Sequence, residues 1–186
     1  MDATMDQMKR LVDGNVNFRK SIDLSFLARL SKGQQQPFVA ILTCSDSRVV
    51  PEKIFNLSLG DAFVVRVAGN SAADLSVLGS LEYAVEHLRV RMLLVLGHTG
   101  CGAVKAALEG KGPQNLQPVI RDIEKARYKA PSDQQENADL IAENNVKLQL
   151  WSVENNSTLI GREAIEGKLL VRGAMYDLAT GAVKFI

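Results

Sequence analysis

The chain contains only two cysteines and two histidines. Both cysteines and one histidine fall in short motifs able to hold a metal, Cys44-Ser45-Asp46-Ser47-Arg48 and His98-Thr99-Gly100-Cys101-Gly102. Two thiolates and one imidazole fill three corners of a tetrahedral zinc ion and leave the fourth open for chemistry. His98 and Cys101 stand three apart at the expected start of a helix, a spacing that brings both side chains to one ion, while Gly100 and Gly102 remove bulk. The positive end of that helix favours a thiolate at Cys101. The plain alternative is a glycine-rich turn after a strand beside an ordinary buried cysteine. Cys44, placed after a second strand, favours the metal.

Asp46 and Arg48 add a carboxylate and a guanidinium that can form a charge-assisted pair within a tight loop. Held by Arg48, Asp46 stays off the metal and accepts a hydrogen bond from zinc-bound water or hydroxide. Released, it becomes the fourth ligand and shuts water out. As a surface ion pair alone, the two residues would contribute under about 1 kcal/mol.

The elements that must position these groups are legible around them. Phe38 to Thr43 and Met92 to Gly97 are apolar, branched runs that read as buried strands, so Cys44 and His98 each follow a strand's C-terminal end. In open α/β sheets the crevice beyond those ends is where ligands bind. A further strand is expected at Phe63 to Val67. Leu75, Leu78, Leu81, Val85 and Leu88 trace one face of a helix, and a second helix runs from Ala103 to Leu108 until Gly110 stops it. The alternation predicts an α/β fold, a single domain over residues 1–186 with a mostly parallel central sheet flanked by helices. A long helix carries Ala138, Ala142, Val146, Leu150 and Val153 on one side. The C-terminus reads as a strand hairpin turning at Thr180-Gly181. Met5, Met8, Val12 and Val16 mark an amphipathic N-terminal helix and Ser25 to Leu30 a second short one, free to pack on the core or on a partner chain.

At 186 residues and 46% hydrophobic content, the chain is long enough for one sizeable core and short for two. A formal charge of +1 and the lack of a basic run interleaved with aromatics argue against nucleic acid and anionic membranes as partners. No apolar stretch approaches a membrane span, and Met1-Asp2-Ala3-Thr4-Met5-Asp6 lacks the basic-then-apolar order of a signal peptide. A cytoplasmic location is therefore expected, where two cysteines read as metal-binding or catalytic rather than as a structural disulfide. Other motif readings fail. Arg48 is too close to Cys44 for a cysteine phosphatase loop, the glycines around His98 do not follow the dinucleotide or P-loop order, and the cysteines form no Cys-x-x-Cys redox pair.

The residues resemble those of the β-class carbonic anhydrases. The likeness rests on Cys-x-Asp-x-Arg at Cys44 to Arg48 and His-x-x-Cys at His98 to Cys101. It extends through Gly60 to Arg66, Ala68-Gly69-Asn70 and Leu81 to Val85, covering about residues 34–107 most clearly. The resemblance implies one zinc per chain held by Cys44, His98 and Cys101, an Asp46 and Arg48 dyad, and reversible hydration of carbon dioxide to bicarbonate by zinc-bound hydroxide. It places Gln35 and Gly102 on the substrate side, although Gln35 also reads as a solvated loop residue. It further implies a homodimer or higher homo-oligomer, with N-terminal helices packing on the partner subunit. Ile41 stands where family members with a noncatalytic bicarbonate pocket carry Trp, so that pocket is expected to be missing.

Two thiolates donate more charge to the metal than imidazoles do, which should move activity toward alkaline pH. His87, beside Glu86 on a helix, reads as a surface residue rather than a proton shuttle, leaving buffer to carry the proton. Two other functions fit the same motifs: a carbonyl sulfide or carbon disulfide hydrolase, and a noncatalytic zinc protein permanently closed by Asp46.

Overall fold

The computed structural model describes residues 3–186. Met1 and Asp2, the first residues of the N-terminal segment considered above, lie outside them. The chain divides into two compact units, one ending at Gln35 and the other running from Gln36 to Ile186. The first holds α1 (Ala3–Ser21) and α2 (Leu24–Lys32), the latter capped by Asp23, whose side chain accepts from the Ser25 amide. Met5, Met8, Val12 and Val16 on α1 are exposed and form an apolar stripe.

The second unit is built on a five-stranded sheet of β1 (Val39–Cys44), β2 (Ala62–Val67), β3 (Met92–His98), β4 (Leu170–Tyr176) and β5 (Val183–Phe185). The strands run side by side in the order β2-β1-β3-β4-β5. All pairings are parallel except β4 with β5, which forms the expected antiparallel hairpin. All residues of β1 are buried, which accounts for its continuous apolar sequence. Alternation then divides the core. Ala40, Leu42, Leu93 and Val95 face one side and Val39, Ile41, Leu94 and Leu96 the other.

The first face is covered by α4 (Leu75–Glu86), α5 (Gly102–Glu109), α6 (Gln117–Arg127), α7 (Ala138–Asn156) and α8 (Thr158–Ile165). The short α3 (Pro51–Ile54) and the segment after it cover part of the second. Local chemistry sets the helix ends. Asp74 and Asn137 cap α4 and α7 by accepting from the amides of Ser76 and Leu140. Gly110 closes α5 in the left-handed region at φ 62°. α8 is the element the periodicity did not separate. It begins after one extended residue, Ser157, whose hydroxyl accepts from the Ile160 amide and donates to Glu82.

With β1 flanked by β2 on one side and β3 on the other, the chain reverses its direction of winding between β1 and β3. The crevice beyond their C-terminal ends is the topological switch point where α/β sheets bind ligands. Close packing under β3 keeps this place rigid. A methyl group added at Gly97 would meet the Val146 side chain and lie 2.9 Å from the Met175 sulfur. Gly97→Ala is therefore expected to cost about 1–3 kcal/mol, read as a lowered urea midpoint at unchanged slope. An unaltered midpoint would mean that α7 and β4 give way without penalty.

Candidate metal centre

Cys44 is the last residue of β1 and His98 the last of β3, so both end their strands rather than following them. The two strands are paired, and the Thr43 hydroxyl adds a bond to the Leu96 carbonyl at 2.9 Å. Cys101 caps the N-terminus of α5 with extended backbone. Three residues from two remote segments thus converge at the switch point, and one donor atom from each lies within 4.8 Å of the others. All three are buried.

The histidine tautomer follows from its neighbour. His98 Nδ1 lies 2.9 Å from the Thr99 carbonyl oxygen, which can only accept, so Nδ1 carries the hydrogen and Nε2 presents a lone pair. Nε2 is buried and, among the described residues, makes no hydrogen bond of acceptable geometry. A buried acceptor without a donor is costly, and a metal beside two sulfurs satisfies it. Soft thiolates and a neutral imidazole are the donor set of zinc, so the residues fit that ion. The Asn70 side-chain nitrogen is likewise buried without a partner among the described residues.

The electrostatics are those of a site prepared for a cation. The Cys44 pKa is lowered, first by a bond from Cys101 and then, against burial, by His98 and the backbone N–H groups of Asp46 and Gly69. The same bond, together with burial, raises Cys101. Burial is the largest single influence on His98 and acts downward. The Cys44 sulfur, the Thr99 carbonyl and Asp46 outweigh it, and the net shift is upward.

Asp46 is not among the converging donors. Arg48 grips it with two parallel bonds, Nε to Oδ1 at 2.9 Å and a terminal nitrogen to Oδ2 at 2.7 Å, and the Arg48 amide adds a third at 2.9 Å. The guanidinium holds the carboxyl well below the usual carboxylate range. Arg66 secures the loop from the neighbouring strand, donating to the carbonyl of Asp46 at 2.8 Å and to that of Cys44 at 3.4 Å. Its signal in the sequence is a lone cation in the apolar run Phe63-Val64-Val65-Arg66-Val67. Gly102 is the first residue of α5 and is exposed, with open space where a side chain would stand. Gln35 is exposed and belongs to the first unit. His87 ends α4 with its side chain 60% exposed and its ring 5.1 Å from that of Tyr83, which matches a surface residue.

No helix among the described residues is long and apolar enough to cross a membrane. The sequence profile of the carbonic anhydrase family matches residues 39–183. A carbonic anhydrase of Mycolicibacterium smegmatis is 34% identical over 187 residues, covering 95% of this chain and 90% of the relative. Carbonic anhydrase 2 of Mycobacterium tuberculosis is 37% identical over 186 residues, covering 93% and 88%. Among solved structures, one of two tetrameric β-carbonic anhydrases of Sordaria macrospora superposes with a TM-score of 0.83 at 28% identity, covering all of this chain and 98% of that one.

Proposed function

The chain belongs to the β-carbonic anhydrase family and is a zinc-dependent enzyme of reversible carbon dioxide hydration; on that premise we propose which of its residues do the work. Cys44, His98 and Cys101 are the zinc ligands. The observation that carries this assignment is the convergence of one donor atom from each within 4.8 Å of the others, with the His98 Nε2 making no hydrogen bond among the described residues. Held by these residues, zinc would supply the Lewis acidity that lets water ionise near neutral pH.

The chain's own groups then determine what happens around the ion. Asp46 is the acceptor that orients the attacking oxygen, and Arg48 keeps its carboxylate off the metal so that the site stays open. Arg66 fixes the main chain of the same loop. On the family resemblance Gln35 and Gly102 are assigned substrate-side roles, the amide of Gln35 as a donor to a substrate oxygen and Gly102 as the residue that leaves room for one. The proton of each turnover passes to buffer. The exposed apolar stripe of α1 supports a homodimer, or a multiple of it, in which the N-terminal helices pack on a partner subunit. The chain works in the cytoplasm as one domain over residues 1–186.

Zinc-edge X-ray absorption on the zinc-loaded protein tests the ligand set. Two sulfurs at about 2.3 Å with two nitrogen or oxygen ligands are expected. A first shell without sulfur, or with one sulfur only, would remove the assignment.

A further inference from the structure

Between His98 and Cys101 the chain turns through Thr99 and Gly100, the latter in the left-handed region at φ 63°, a conformation that glycine adopts without steric penalty. The peptide joining these two residues is planar and trans, so its C=O and N–H point to opposite sides. Each end has a partner. The Thr99 oxygen accepts from His98 Nδ1 at 2.9 Å, and the Gly100 N–H donates to Asp139 Oδ1 at 2.8 Å. A carboxylate, one peptide group and the imidazole thus form an unbroken chain of hydrogen bonds that ends on the ring nitrogen opposite Nε2.

The fold fixes both sides of this chain of bonds. Thr99 is held from β4 and the segment after it: its N–H donates to the Tyr176 carbonyl at 3.0 Å, and its hydroxyl accepts from the Leu178 amide at 3.0 Å. Asp139 is the second residue of α7, where the free N–H groups of the helix favour a negative charge. Two turns farther on, α7 is pinned to the segment after β2, Asn145 donating to the Gly69 carbonyl and Gln149 accepting from the Ala72 amide, both at 2.8 Å. Asn145 and Gln149 are buried, so water does not compete for these bonds. A rigid element therefore presents the carboxylate to the loop.

We propose that Asp139 is a positioning residue for the metal centre: through the Thr99-Gly100 peptide it strengthens the hydrogen bond at His98 Nδ1, and so fixes the imidazole ring and raises the donor strength of Nε2. The inference rests on His98 being a ligand. Its physical basis is cooperativity, since a charged acceptor on the N–H of a peptide pushes electron density onto the carbonyl oxygen, which then accepts more strongly. Metal-bound histidines commonly carry a carboxylate directly on the second ring nitrogen, and the loss of such a partner changes metal affinity or activity by about 10- to 100-fold. Here one peptide group is interposed. Asp139 is also exposed, on a cleft of about 400 Å³ that Thr99 lines with it, so the lower figure, about 10-fold, is expected.

The test uses the full chain, labelled with nitrogen-15 at histidine and loaded with zinc. The His98 ring is followed by proton–nitrogen correlation NMR, and zinc affinity is measured against a competing chelator. Asp139→Ala removes the acceptor, while Asp139→Asn keeps an acceptor oxygen and removes the charge, and serves alone if the first variant folds poorly. The Nδ1 proton is expected to move upfield and to exchange faster with solvent in both, more so in Asp139→Ala, with zinc affinity lowered about 10-fold in that variant. Val153→Ala, near the far end of α7, should lower stability and leave both readouts at their wild-type values. Wild-type resonance and affinity in the Asp139 variants would overturn the proposal, as would changes of equal size in Val153→Ala. A wild-type His98 Nε2 resonance that does not respond to zinc would instead overturn the ligand assignment itself, whatever the variants do.

Discussion

Cys44→Ser, His98→Ala and Cys101→Ser are each expected to fold and to lose both stoichiometric zinc and carbon dioxide hydration. The reasoning is geometric. Each proposed ligand comes from a different structural device, the end of β1, the end of β3 and the cap of α5, and no fourth histidine, cysteine or carboxylate joins the converging group among the described residues. Asp46, the nearby carboxylate, is held off by Arg48. The loss of activity should exceed the roughly 100-fold upper range of changes one bond removed from a metal and approach the uncatalysed rate. Serine keeps the shape of cysteine at two buried positions, so circular dichroism should stay native while metal analysis shows depletion. A variant that retained one zinc per chain and near-normal hydration would show that its residue is not a ligand.

The second large effect concerns the dyad. Asp46→Ala should keep zinc, because the carboxylate is held by Arg48 rather than placed among the metal donors. Its kcat/KM for hydration should fall about 100-fold, the lower range for a positioned proton-accepting group. Arg48→Ala should lose activity for a different reason: the carboxylate loses its clamp and is free to take the open position on the metal. If Arg48 acts only through Asp46, the double variant will be no worse than Asp46→Ala, a non-additivity that a double-mutant cycle reads directly. Additive losses would assign Arg48 a separate role.

The clamp also fixes a sign. Because Arg48 lowers the Asp46 pKa, the carboxylate is ionised throughout neutral and alkaline pH. Its contribution to stability is present above about pH 4 and is lost only as acid protonates it. A rise of activity between neutral and alkaline pH therefore cannot come from Asp46, and should persist in Asp46→Ala at its lower level.

Much of this site was legible before any coordinates. The strands ending in Cys44 and His98 are buried on both faces, and such strands announce themselves as unbroken apolar runs. The glycine stop at Gly110 and the hairpin at Gly181 required left-handed backbone, and both have it. What remained hidden was held by bonds across long separations. The break between α7 and α8 is one serine, too brief to disturb the apolar period. Arg66, Asn145 and Gln149 leave no such mark in the sequence, because a polar residue on an otherwise apolar face reads as noise until its partner is known. Asn145 and Gln149 do fall four apart on the buried side of α7, the spacing at which two amides can bond each other. That interruption of an apolar stripe was the available signal.

The most direct test of the whole account is stopped-flow hydration of carbon dioxide by the zinc-loaded chain at neutral and mildly alkaline pH, with carbonyl sulfide as a parallel substrate. Fast hydration that increases with pH is expected, since the two thiolates proposed as ligands would favour the more alkaline range. Zinc-loaded protein that hydrates no carbon dioxide at either pH would contradict it.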